Sequence, residues 1–577
     1  MSLGPLRREA VWASLAAIGL GALILRVVGL QFGLPEVYNP DEIAIMARAL
    51  SFAKGSLNPE NFLYPTFYFY VLFGWVGLYL GFLLLTGRVG SVGELQQLYF
   101  TDPTGIYTAG RLLGAVSGTL SVLLVYRLGV RLADRQAAIA AMIFLAVAPV
   151  AVIDSHYVKH DVPATLAVVV AYLAMVRVWP VPRPDGSTTR DVVLAGAACG
   201  MAFSTHYYCV FLALPLAWVV FLAERHRGAG RVARQTVVAA VSSAVVFFAL
   251  SPFLLVEPMT AFRDISANRE IVVDRAVAAG AFAPAVRYLE MLWFDAMGVP
   301  VVVVGLLGIA WMLVAAPGHA ILLLSFAVPF FLFISNTHPS SRYLNPLLPL
   351  LAVAAGWALS NAARRLRLRP WMFWVAVAAC ALPPAVTSVK VGFFFRQADT
   401  RTIALALVER EIPSGASILV QPYSVPLTPS RQGLVEALTA NLGSPDAATI
   451  KFQLQLGQEP YPSPAYRLLY LGRGGLDAEK IYVDPAQLSG PDPLGPLRPL
   501  GVAFVILKGY NGADSELTPL RAALAREGRR VAAFSPYREG APVRVEPFLH
   551  NTDARIDGAL ERPGPALEIW QLNDVGS

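Results

Sequence analysis

The sequence predicts an α-helical polytopic membrane protein that ends in a mixed α/β domain. Three observations carry this. Apolar residues make up 56% of the 577-residue chain and charged residues 15%, against about 45–50% and 25% in soluble domains. The apolar residues gather into long runs, several near the roughly 20 residues that cross a bilayer as a helix. After residue 396 the long runs stop, and the rest of the chain is rich in Pro and Gly with short β-like stretches.

The first run, residues 10–30, follows Arg7 and Arg8. It exceeds the roughly 7–15 apolar residues of a cleaved signal and reads as a signal anchor with a cytoplasmic N-terminus. Further runs lie near 66–86, 108–128, 136–153, 161–180, 191–205, 207–223, 234–255, 296–315, 318–336, 343–361 and 371–388. Arginine-rich loops mark the cytoplasmic side. They hold Arg127, Arg131 and Arg135; Arg183 and Arg190; Arg225, Arg227, Arg231 and Arg234; and Arg364, Arg365, Arg367 and Arg369. Alternation then puts "DSHYVKHD" (154–161), "NTHPSSRY" (336–343) and everything after 388 on the outer face.

Parity also constrains the first loop. Residue 31 is outside, and the run 108–128 enters from outside. The segment between them begins and ends on one face. The run 66–86, "YPTFYFYVLFGWVGLYLGF" at its core, is therefore expected to lie against the outer interface or to form a re-entrant hairpin; its Tyr, Phe and Trp content suits that level. This leaves about 11 crossings plus juxtamembrane helices, with a plain twelfth span at 66–86 as the alternative. Residues 1–396 form a transmembrane domain with a long first outer loop, 31–107. Residues 397–577 form a soluble extracytoplasmic domain, and the chain sits in the cell (inner or plasma) membrane.

In the C-terminal part, "ASILVQ" (416–421), "VAFVILK" (502–508), "RVAAFS" (530–535) and "ALEIWQL" (566–572) read as strands. "RTIALALVEREIP" reads as a helix before the first of them. The net charge of +7 is accounted for by the cytoplasmic loops. No basic stretch interleaves with aromatics, so no nucleic-acid partner is expected. Cys199, Cys209 and Cys380 form no CxxC pair and indicate neither a zinc site nor a disulfide framework.

Four stretches can carry chemistry. In "VYNPDEIAIMARALSFAKG" (37–55), Asn39 can cap a helix, Pro40 suits its first position, and Asp41 and Glu42 favour the positive end of its dipole. Ile43, Met46, Ala47 and Leu50 recur at helical spacing. The pair thus opens an amphipathic helix, which by itself explains its presence. The same placement fixes two carboxylates near lipid head groups, where one can act as a general base. Adjacent residues do not share a helix face, so two roles are expected rather than a shared proton.

"DSHYVKHDVPATL" (154–166) holds Asp154, His156, Lys159, His160 and Asp161. It is either a polar loop in which Asp161 caps the next helix, or a cation and carboxylate placed to bind phosphate and steer a nucleophile. His156 and His160 have the i, i+4 spacing of a metal pair but lack an HExxH context. In "NTHPSSRYLNPLLPL" (336–350), Arg342 and Tyr343 either anchor the chain at the interface or hold a lipid phosphate. In "GMAFSTHYYCV" (200–210), His206 ends a short span as a structural or ligand-contacting residue. No GxSxG, Walker or Rossmann signature stands in a strand–helix context. That disfavours soluble nucleotide chemistry and suits a lipid-carried donor.

The order of these motifs resembles polytopic glycosyltransferases of the C-type fold, closest to the branch shared by protein O-mannosyltransferases and the lipid A aminoarabinose transferase. The resemblance rests on Pro40-Asp41-Glu42, "YPTFYFY", "RLLGAVSGTLSVLLVYRLGVRL" (111–132), "VKHDVPATL", "GMAFSTHYY", "SPFLLVEP" and "SRYLNPLLPLLAVAAG", spread over roughly residues 10–430. Tyr64 stands where the family often has His, and His206 where it often has Lys. The resemblance implies an inverting transfer of a sugar from a polyprenyl- or dolichyl-phosphate donor to a lipid, glycan or protein acceptor. Asp41 would be the base, Glu42 would position the acceptor, and Asp161 would line the same cavity. Lys159 and Arg342 would bind the donor phosphate, with Arg111 and His206 behind them and Tyr64 and Tyr343 alongside. Cations suffice for a phosphate leaving group, so no cofactor is required and a divalent metal is the minor reading. The competing reading is a transporter or flippase of lipid-linked sugars. That class places ionisable residues within spans near the midplane, often in repeated halves with broken helices; here the candidate charges gather in outer loops, with Arg26 an exception near a span end.

Overall fold

The computed structural model describes residues 8–179, 188–277, 282–475, 477–509, 515–541, 546–550 and 555–572; Arg7 and Arg183 of the orientation argument lie outside them. All twelve apolar runs are helical, because in lipid the backbone must satisfy its own polar groups. Among the described residues, eight helices are long and apolar enough to cross a membrane, nine if the pair Ala283–Ala296 and Val299–Ala315, bent by 115°, counts as one span. The N-terminal half runs α1 (Arg8–Val27), α2 (Pro40–Ser51), α3 (Phe67–Leu85), α4 (Val92–Thr101), α5 (Thr104–Leu132), α6 (Arg135–Ala146), α7 (Pro149–Asp154), α8 (Asp161–Val178) and α9 (Thr189–Thr205). The run 136–153 is split into α6 and α7 just before Pro149, which takes the first position of the second piece.

By length and composition α3 is one of the candidate spans, and it packs beside the start of α5. Trp75 Nε1 donates to Ala109 O at 2.8 Å, Tyr79 packs on Gly105, and Leu72 packs beside Gly110. These contacts lay α3 antiparallel along the first two turns of α5. Near its start, Tyr68 and Phe69 reach the His160 ring at 4.4 and 5.0 Å. Arg111, bonded to Leu30 O and Phe32 O, brings the start of the first loop to the same part of the bundle as its end.

α5 organises that end. Gly110, Gly114 and Gly118 repeat every four residues and line one face. A Cβ on Gly114 would lie 2.9 Å from Ser155 O and 3.1 Å from Tyr157 O, and one on Gly110 would lie 3.0 Å from Val158. The small-residue stripe lets the 155–158 backbone settle directly on α5, which sets the height of Lys159. Below it, Arg26 is buried and donates to Ala146 O at 3.1 Å and Leu145 O at 3.3 Å. It caps the carbonyl end of α6. This intraspan charge thus has a structural use.

The C-terminal domain holds a six-stranded sheet of order β3-β2-β1-β4-β6-β5, built from β1 (Ser417–Val420), β2 (Arg467–Leu471), β3 (Ile481–Val483), β4 (Phe504–Gly509), β5 (Gly528–Phe534) and β6 (Ala566–Leu572). β1 pairs parallel with β2 and β4, and β6 runs antiparallel to β4 and β5. Four of these strands and the helix Thr400–Glu411 match the expected stretches; β2 and β3 were not anticipated. Tyr537, Phe548 and Leu560, between β5 and β6, join the hydrophobic core of the helical bundle, so this domain is docked on the bundle.

Candidate active site

α2 starts as its sequence suggests. Asn39 Oδ1 accepts from Asp41 N at 3.0 Å, and Pro40 is the first helical residue. The two carboxylates then diverge. Glu42 is fully buried and meets Arg111 in a fork: Nε and Nη2 donate to its two oxygens, each at 2.9 Å. Val158 N donates to the same carboxylate at 2.9 Å. Arg111 Nη1 donates to Leu30 O at 2.9 Å and Phe32 O at 2.8 Å, and the Phe32 ring lies 4.1 Å from the guanidinium.

Glu42 and Arg111 are thus each other's buried partner. Together they clamp α2, α5, the end of α1 and the 155–160 loop. The pair is 69 residues apart in sequence, and no local spacing could show it.

Asp41 points the other way, with its side chain 45% exposed. Its Oδ2 accepts from Lys159 Nζ at 2.8 Å and lies 3.8 Å from Arg342 Nη2. Arg342 Nε in turn lies 4.0 Å from Asp161 Oδ2. Arg342 is held in a 3-10 helix, Ser341–Leu347, where Asn345 Nδ2 donates to Arg342 O at 3.0 Å and to Asp154 Oδ2 at 2.5 Å. Two carboxylates and two cations thus form a chain in the order Lys159, Asp41, Arg342, Asp161. Burial works to raise the Asp41 pKa, but Lys159 and Arg342 outweigh it and hold it at about 2. Lys159 is buried, and burial together with Arg342 lowers its pKa against the opposing pull of Asp41.

Asp161 is the first residue of α8 rather than its cap, a position His160 takes without a capping bond. Among the described residues, buried Asp161 Oδ1 and His160 Nε2 meet no hydrogen-bond partner. Such groups are costly unless something else pairs with them. The two histidines do not form a metal pair. The ring nitrogens of His156 lie 2.8 and 3.0 Å from the carbonyls of Val152 and Val28, whereas His160 stacks on Tyr64 at 4.3 Å.

Tyr64, His160 and His206 form an aromatic wall beside the charged chain. His206 meets Tyr64 edge-on at 5.4 Å and stacks on Tyr208 at 3.7 Å. It is a wall residue; its Nδ1 accepts from Tyr208 N at 3.5 Å. The Arg342 guanidinium lies 5.2 Å from the Tyr343 ring. The structure therefore gathers Asp41, Lys159, Asp161, Arg342, Tyr64, Tyr343 and His206, and sets Glu42 and Arg111 behind them as support. Cations that share a carboxylate can transfer to an incoming phosphate, and the carboxylate they leave becomes more basic.

A family model described as dolichyl-phosphate-mannose-protein mannosyltransferase matches residues 106–255, the segment that carries Arg111, Lys159, Asp161 and His206. No curated protein matches the chain by sequence. Two solved structures are similar in fold. One is the Archaeoglobus fulgidus oligosaccharyltransferase in complex with zinc and sulfate, at TM-score 0.50 and 13% identity over 86% of this chain and 68% of that one. The other is ArnT from Cupriavidus metallidurans bound to undecaprenyl phosphate, at TM-score 0.50 and 14% identity over 97% of both chains. At these identities the likeness is one of fold.

Proposed function

We propose that this chain, whose fold is that of the C-type membrane glycosyltransferases, moves a sugar from a polyprenyl-phosphate carrier to an acceptor hydroxyl or amine, with inversion. The observation that carries the reading is the Asp41 carboxylate shared by Lys159 and Arg342, with Asp161 adjoining. The undecaprenyl phosphate bound to the ArnT of similar fold supports the donor class. The distribution of loop arginines supports a cytoplasmic N-terminus and an extracytoplasmic site and C-terminal domain.

In this mechanism Lys159 and Arg342 turn to the donor phosphate. Asp41 loses their stabilisation and takes the proton of the acceptor as its heteroatom attacks the anomeric carbon. The bond from that carbon to the phosphate oxygen breaks, and its electron pair leaves with the polyprenyl phosphate. The two cations meet the negative charge that develops there, so the step needs no metal. A single displacement on the face opposite the phosphate inverts the centre. The aromatic wall of Tyr64, His160 and His206 offers ring faces to the sugar or the prenyl chain.

Purified protein in lipid vesicles, given radiolabelled polyprenyl-phosphate sugars and membrane extract, is expected to release polyprenyl phosphate and label one acceptor fraction. No transfer from any donor in the panel overturns the proposal.

The electrostatics add a pH signature. A depressed pKa keeps free Asp41 ionised until the pH falls toward about 2. In the donor complex its cations are shared with phosphate, and its pKa rises toward the ordinary value. The acid limb of kcat, which reports the complex, should therefore lie at higher pH than that of kcat/KM for the donor, which reports the free enzyme. Between about pH 5 and 3, kcat should fall while kcat/KM holds. Coincident limbs would mean that the cations stay on Asp41.

A further inference from the structure

A cleft of about 1040 Å³ opens between the first outer loop and the C-terminal domain. None of Asp41, Lys159, Asp161 and Arg342 lines it. Tyr38 and the α4 residue Gln97 face it from the loop; Gln421, Tyr423 and Tyr470 face it from the sheet. Its volume lies at the upper end of small-ligand pockets, about 300–1,000 Å³. In the sheet, β2 and then β3 follow β1 on one side, and β4 pairs with β1 on the other, all parallel. The strand order thus reverses between β1 and β4. Ligands of such sheets bind outside the carboxyl ends of the strands at that point. Gln421, the residue after β1, bridges the two strands: its N donates to Ile506 O at 3.0 Å, and its Oε1 accepts from Lys508 N at 2.9 Å.

From there the chain turns along the cleft. Ser424 N donates to Gln421 O at 3.1 Å, which closes a turn with Pro422 second and Tyr423 third. Tyr423 has φ +63°, a conformation that favours glycine and is rare for a bulky residue. It is also 64% exposed, so little packing offsets that strain. Strained residues of this kind gather at ligand clamps. Among the described residues the lining carries three acidic residues, Glu36, Glu459 and Glu479, and three basic ones, Arg401, Lys451 and Lys480. Such a balance suits a neutral ligand better than a polyanion. The amides of Gln97 and Gln455 can donate to and accept from hydroxyl groups. The rings of Tyr423 and Tyr470 offer flat apolar faces to the C–H side of a sugar.

We propose that this cleft binds a neutral oligosaccharide, the glycan of the acceptor, with Tyr423 as its stacking platform. The acceptor role rests on the transferase reading above. The cleft reaches Tyr38, whose hydroxyl lies 2.8 Å from Thr402 Oγ1 and whose ring lies 3.8 Å from the Arg401 guanidinium. Asp41 follows three residues later, so its Cα is at most about 11 Å from that of Tyr38. A glycan seated along the cleft brings its terminal sugar toward Asp41 and leaves its remainder on the C-terminal domain.

The test uses the full-length protein in vesicles and fluorescently labelled linear pentasaccharides of mannose, glucose, galactose and arabinose. The wild type should bind at least one of them saturably. Tyr423→Gly removes the ring and accepts the backbone angle. It should weaken binding about 10-fold, the scale of losing one stacked ring, with the melting temperature kept or raised. Tyr423→Phe should stay within about threefold, and Gln97→Ala on the facing wall should lose about 3–5-fold. In transfer to an acceptor glycan that the wild type uses, Tyr423→Gly should raise the acceptor KM by the same about 10-fold and leave kcat and the donor KM within about twofold. No pentasaccharide bound, or binding that Tyr423→Gly leaves unchanged, overturns the site. Tyr423-dependent binding of labelled Ser/Thr-rich peptides, with none of the sugars bound, overturns the carbohydrate assignment. Binding lost with the acceptor KM unmoved overturns the acceptor role. A wild type that binds a pentasaccharide through Tyr423 but transfers no sugar fails the transferase reading and leaves the site standing.

Discussion

Asp41→Asn should lower sugar transfer about 10³-fold, within the 10²–10⁴-fold range of general-base catalysis, while donor-site affinity is kept or improved. Asn preserves size and can still accept one hydrogen bond from Lys159. It removes the charge that occupies Lys159 at 2.8 Å and Arg342 at 3.8 Å. Both cations are then released for phosphate, so undecaprenyl phosphate should bind a few-fold more tightly to the variant as its rate collapses. The Asn39 cap is made to the backbone of residue 41, and the Glu42–Arg111 clamp lies on the other side of the helix, so the fold should hold. A merely structural Asp41 cannot give this opposition of rate and affinity. The measurement is single-turnover transfer at saturating donor, set beside titration with undecaprenyl phosphate. An undiminished rate, or affinity that falls in step with rate, would remove Asp41 from the reaction centre.

The elements legible in the sequence are those imposed by lipid. A bilayer admits long apolar helices and expels stray charges, so the apolar runs and the cluster of Asp41, Lys159, Asp161 and Arg342 stand out against a chain with few charges. β2 and β3 escaped notice because they draw their identity from neighbours. "RLLYL" and "IYV" are short, and they pair only with strands of the same sheet. Glu42 was readable as a carboxylate near the membrane but not as a buried one, since its burial depends on Arg111 and on the Val158 backbone arriving from far along the chain.

Glu42 and Arg111 carry the second large expected effect, and it is on stability before activity. Both side chains are 0–1% exposed, and removing one leaves the other as a buried, unpaired charge. Glu42→Ala or Arg111→Met should each cost about 3–5 kcal/mol, well above the typical cost of about 1 kcal/mol for a point substitution. The double variant removes both charges together and should recover about 2 kcal/mol of the summed loss. Recovery stays partial, because Val158 N, Leu30 O and Phe32 O lose their partners. Denaturant unfolding of the purified protein checks the stability terms, and transfer by the fraction that remains folded checks the chemistry. The folded fraction of Glu42→Ala should also be slow, since Val158 is bonded to Glu42 and its neighbour Lys159 holds Asp41. If Glu42→Ala proves nearly neutral in stability yet inactive, with Arg111→Met still active, then Glu42 acts on substrate and the clamp is the wrong account of it. If both single variants unfold and the double regains stability, the acidic pair has divided its labour: Asp41 for chemistry, Glu42 for the frame that holds it.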